Sequence, residues 1–110
     1  MGKIGPHEGK ELELMLSGSK NVSFFSQLET YQNFEKALID GQVIKILEYY
    51  NTIPLLIYTL PNMVNDGIEL LQTLKQSLTS PSKNIDRKIG EILGYSNEDI
   101  NLFIENNYKN

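Results

Sequence analysis

The spacing of apolar residues changes several times along this chain, and each change marks a new element. In PHEGKELELMLSG, Leu12, Met15 and Leu16 recur at helical spacing behind Pro6 and the acids Glu8, Glu11 and Glu13, and Gly18 supplies a stop. The short aromatic run NVSFFS predicts a strand at about 21–25. A second helix over YQNFEKALID turns Phe34, Ala37 and Leu38 inward and ends at Gly41.

The period then shortens. QVIKILEYY and TIPLLIYTL are rich in β-branched and aromatic residues, and only Asn51 and Thr52 separate their cores. An antiparallel hairpin over about 43–60 is expected, although Asn-Thr is a weaker turn signal than Asn-Gly. Pro54 cannot donate to a ladder, so it belongs at the start of its strand or on an outer edge.

The helical period returns from about Pro61 to Leu78, where Met63, Val64, Ile68, Leu71, Leu74 and Leu78 share a face and Gly67 slightly weakens the middle. After the breaker cluster LTSPSKN, a fourth helix runs over about 85–93 with Ile85, Ile89, Ile92 and Leu93 on one stripe. A fifth follows Ser96, whose hydroxyl can cap it with Asp99 three residues on, and directs Ile100, Phe103 and Ile104 inward. The last two form a helical hairpin. The order α, β, α, β, β, α, α, α predicts an α+β fold: a small antiparallel sheet packed with four to five helices, in one domain spanning 1–110.

Alternation in the hairpin leaves neither face polar. Ile44 and Ile46 fall on one side, with Val43, Leu47 and Tyr49 on the other; the second strand repeats this with Leu55 and Ile57 against Leu56 and Tyr58. Such a pair needs cover on both faces. Five helices could supply it. If they pack on one side only, Tyr49, Tyr50 and Tyr58, with Glu48 beside them, form an exposed aromatic patch of the kind found at interfaces. Those four residues are the candidate partner-binding set.

Composition narrows the chemistry. At 40% hydrophobic and 22% charged, the 110-residue chain is too apolar to be disordered and can bury a core of its own. With no cysteine, disulfides, thiolate nucleophiles and cysteine-ligated zinc are excluded. MGKIGPHEGK lacks the apolar run of a secretory signal, and IPLLIYTL is too short to span a bilayer, which favours a soluble, cytoplasmic protein.

A net charge of −4, a single arginine (Arg87) and scattered lysines argue against phosphate binding. A helix-turn-helix-like unit at 85–107 would lead its recognition helix with Asn97, Glu98 and Asp99, two carboxylates facing phosphate. In HEGKE, His7, Glu8 and Glu11 lack the second histidine of a zinc-protease motif and read as helix-start chemistry. No nucleophile elbow, P-loop or dinucleotide glycine pattern occurs.

The sequence therefore favours a non-enzymatic, acidic protein-binding module without metal or cofactor. It would bind a basic protein partner or a second copy of itself through the hairpin, as an inhibitor or immunity-type protein does. The alternatives are a DNA-binding regulator using 85–107, and a small-molecule sensor or small enzyme with a pocket lined by Tyr49, Tyr50 and Tyr58.

Overall fold

A computed structural model describes residues 10–26 and 32–108. Within them lie helix α1 (Glu11–Leu16), strand β1 (Val22–Phe25), helix α2 (Gln32–Ile39), strands β2 (Ile44–Tyr50) and β3 (Ile53–Thr59), a 3-10 turn (Pro61–Met63), and helices α3 (Val64–Thr79), α4 (Lys83–Leu93) and α5 (Asn97–Asn107). The fold is α+β, as the pattern predicts. The part of the first predicted helix before residue 10 lies outside the described residues.

The three strands form one antiparallel sheet in the order β1-β3-β2. Tyr50 opposite Ile53 closes the hairpin over Asn51 and Thr52. Asn51, the first residue of the turn, takes a positive φ of 57°, and Thr52 does not. Asparagine tolerates that conformation better than most residues, so the weak turn signal suffices.

A two-residue hairpin makes its flanking pair hydrogen-bonded, so alternate residues back along β3, beginning with Pro54, direct their backbone away from β2. On that side β1 reaches only as far as Leu56, opposite Phe25. The missing donor of Pro54 therefore falls where no ladder exists, although β3 is the central strand.

Helices cover both faces. On one, Leu56, Tyr58 and Val43 pack with Met15 of α1 and with Phe34 and Ala37 of α2. On the other, Val22, Leu55 and Ile57 pack with Leu70, Leu71 and Leu74 of α3, and Ile89, Ile92 and Leu93 of α4 lie against them. Helices α1 to α4 thus cover the two faces of the strand pair, and α5 packs on α4 through Ile100 and Gly90.

Several residues expected inward are exposed: Leu16, Ile68, Leu78 and Phe103. The buried stripe of α3 runs through Gly67, Leu70, Leu71, Thr73 and Leu74, which turns Ile68 outward, while Leu78 continues the stripe but is exposed in the last turn of the helix. Ile100 and Ile104 carry the buried contact of α5, and Phe103 projects past it.

Gly67 has a larger role than a weak point in a helix. A Cβ there would stand 2.3 Å from Thr59 Cγ2 and 3.1 Å from Ile46 Cδ1, so glycine sets how closely α3 approaches the sheet. Thr59 is fully buried and β-branched, and it cannot easily rotate away. Gly67→Ala should gain about 1 kcal/mol of helix propensity and lose about 1–3 kcal/mol to overpacking. A net loss is expected, read as a lower urea midpoint at unchanged slope. A higher midpoint would show that the helix can move off the sheet at little cost.

Candidate functional site

The hairpin places its four candidate residues differently. Successive residues of β2 alternate between faces, and each shares the face of the β3 residue opposite it. Tyr49 lies opposite Pro54, on the α1 and α2 side, and is 53% exposed. Glu48 and Tyr50 lie on the α3 side.

Tyr50 is half-buried, and its hydroxyl pairs with Thr79 Oγ1 at 2.9 Å. The Glu48 carboxylate is exposed and accepts from Lys75 Nζ. Tyr58 is a correction to the expected patch, because it is 1% exposed and belongs to the core. Its ring stacks on Phe34 with centroids 4.4 Å apart, and its hydroxyl donates to Glu35 Oε2 at 3.3 Å. With Tyr50 on the opposite face from Tyr49 and Tyr58, the three rings do not line one pocket.

What the residues build instead is an edge. Among the described residues, strand β2 pairs with β3 on one side and with no strand on the other. Since Tyr50 is hydrogen-bonded to Ile53 across the turn, Lys45, Leu47 and Tyr49 direct their backbone N–H and C=O groups away from β3. Helical cover thins here: Ile44 is 37%, Leu47 40% and Ile53 39% exposed. On the α3 side Lys75 and Thr79 secure the strand. On the other side the only ion pair from β2 among the described residues joins Lys45 Nζ to Glu35 Oε2 at 3.8 Å. Seven residues long and largely apolar, β2 has the properties of strands that pair with further chains.

A buried polar cluster lies away from this edge and has no motif in the sequence. Lys20 Nζ is 2.7 Å from Glu11 Oε1, with side-chain exposures of 1% and 16%. Ser23 Oγ donates to the same carboxylate oxygen at 2.8 Å and lies 3.1 Å from Met15 Sδ. The ammonium also sits 5.6 Å from the centroid of the Tyr95 ring. Burial pushes the Lys20 pKa below the ordinary lysine value, and the hydrogen bond and charge of Glu11 only partly oppose it.

The cluster joins α1 and β1 to the turn between α4 and α5. Glu11, grouped by sequence with His7 and Glu8, is committed to this pair; His7 and Glu8 lie outside the described residues. No group of three potential metal ligands occurs among the described residues.

The helical hairpin has packing reasons for its glycines. A Cβ on Gly90 would stand 2.7 Å from Ile100 Cγ1, and Gly94 adopts the left-handed conformation with φ of 86° at the end of α4. Ser82 and Ser96 cap α4 and α5 by accepting from the amides of Ile85 and Asp99. Arg87 Nη2 donates to Asn101 Oδ1 at 2.9 Å, and Lys88 pairs with Glu69 at 3.3 Å. Asn97 and Glu98 are exposed at the leading end of α5. Among the described residues, no helix is long and apolar enough to cross a membrane.

Comparison with protein-family models, with curated proteins and with solved structures finds no match to this chain.

Proposed function

We propose that this protein is a cytoplasmic, non-enzymatic protein-binding module whose binding surface is the free edge of β2. One observation carries the reading. Among the described residues, a largely apolar seven-residue strand ends the sheet, with Leu47 and Tyr49 exposed and their backbone groups directed away from β3. Backbone pairing supplies affinity in strand addition, while alternate side chains supply selectivity. Tyrosine suits such a place because its ring buries apolar area while its hydroxyl stays hydrated.

The test is a photo-crosslinking benzophenone residue at position 49 in the intact protein, expressed in its own cells. Covalent protein adducts should form there. They should be absent when the probe replaces Asn106, an exposed polar residue on α5. Equal labelling from both positions, or none from position 49, would remove the edge as the binding surface.

A further inference from the structure

Resting on the reading of β2 as a binding edge, we infer that its occupant is β2 of a second copy of this chain, paired antiparallel about a twofold axis through Leu47 to make one continuous six-stranded sheet. The strand is complementary to itself. A twofold axis perpendicular to the sheet keeps each face on its own side, and with Leu47 on the axis all seven residues from Ile44 to Tyr50 find partners.

The residues brought into register as hydrogen-bonded pairs are Leu47 with Leu47, and Lys45 with Tyr49. Their backbone groups are the ones directed away from β3. On the α1 and α2 face, each exposed Tyr49 ring then meets the Lys45 ammonium of the second copy, a cation–π arrangement. Leu47 meets its own equivalent at the axis. On the α3 face, Glu48 lies opposite Ile46 and stays within reach of Lys75.

Charge favours this register over its neighbours. Centring the pair on Glu48 sets two carboxylates face to face, and centring it on Lys45 opposes two ammonium groups. A register centred on Ile46 leaves Tyr50 beyond the pairing and sets Tyr49 opposite Val43, which is already buried beneath the helices. The chain carries a net charge of −4, but at this edge Lys45 and Lys75 are matched by Glu35 and Glu48. The contact is locally neutral, and overall repulsion is screened over about 10 Å at moderate salt.

Single-cysteine proteins test both the dimer and its register, because the chain has no cysteine of its own. Under mild oxidation L47C should link to itself, since a hydrogen-bonded antiparallel pair has a Cα separation of about 5.5 Å. K45C alone and Y49C alone should not, because equivalent residues four positions out of register lie roughly 14 Å apart. Mixed together, K45C and Y49C should form the linked heterodimer.

Sedimentation of the unmodified protein should show a dimer in the micromolar range, and L47R should weaken it at least about tenfold by opposing two guanidinium groups at the axis. A monomeric protein whose L47C form links no faster than N106C would overturn the inference. Efficient self-linking of I46C in place of L47C would overturn the register. The benzophenone experiment separates the two readings. Adducts with other proteins only, from a monomeric chain, overturn self-pairing and leave the binding edge in place; no adduct at all removes both.

Discussion

Tyr58→Ala should lower folding stability by about 3–5 kcal/mol, the range for removing a buried aromatic ring. The ring is enclosed by α1 and α2, stacked on Phe34 and edge-on to Phe25, so truncation opens a void that stiff neighbours cannot fill. Tyr58→Phe keeps the ring and removes the hydroxyl that reaches Glu35, at a cost of about 1 kcal/mol.

Tyr49→Ala, on the same face but 53% exposed, should change the stability of the dilute protein by no more than about 0.5 kcal/mol. Its effect should appear in association, as a loss of roughly 2 kcal/mol or more if the ring is an anchor. Urea melts of the three variants beside sedimentation of Tyr49→Ala give both numbers. Similar losses of folding stability at 49 and 58 would place Tyr49 in the core and take it out of the binding surface.

Glu11→Ala should be the second large loss. Removing one partner of a buried ion pair costs about 3–5 kcal/mol, and 2–3 kcal/mol is expected here because the Glu11 side chain keeps 16% of its exposure. Replacing the pair together, Glu11→Leu with Lys20→Met, should recover most of that loss, because neither charge then needs solvation.

The pH dependence has a definite sign. Burial lowers the folded-state pKa of Lys20 below 10.5, so in the window between that lowered value and 10.5 the unfolded chain binds more protons than the folded one. Stability from this group should therefore rise with pH through the window and stay flat below it. The phenol of Tyr108 works in the other direction. Its hydrogen bond to Asp86 at 2.5 Å raises its pKa, so its contribution falls away only above about pH 10. Chemical denaturation between neutrality and pH 10 should show a rising component in the wild type that Lys20→Met lacks. A slope unchanged in Lys20→Met would assign it to other groups.

The elements of this fold are legible in the sequence because each is a local event. Helical spacing, a capping serine at 96 and the shift to β-branched residues at 43 need no knowledge of the rest of the chain. The need for cover on both faces of the hairpin follows equally from alternation. Whether Tyr49 or Tyr58 meets solvent does not. That depends on β1 choosing β3 over β2 as its neighbour, a contact between distant residues that alternation cannot rank.

Gly67 is opaque for a similar reason. Along the helix it looks like a weak point, and its value lies in the Thr59 methyl across the interface. Lys20 follows a helix stop, where a lysine ordinarily points to water, and no local pattern signals that Glu11, Ser23 and Tyr95 surround it.

The strand order also bears on how the chain is made. Strand β1 precedes its partner β3 in the chain, and Phe25 must wait for Leu56, roughly thirty residues later. The β2–β3 hairpin closes over two residues, on a microsecond scale, as soon as both strands are available. Helix α1 and β1 wait longer still, because the Lys20 environment includes Tyr95. Helix α1 and β1 thus find their complete surroundings only after Tyr95 has been made, and until β1 docks the outer side of β3 stands open to any other strand that reaches it first.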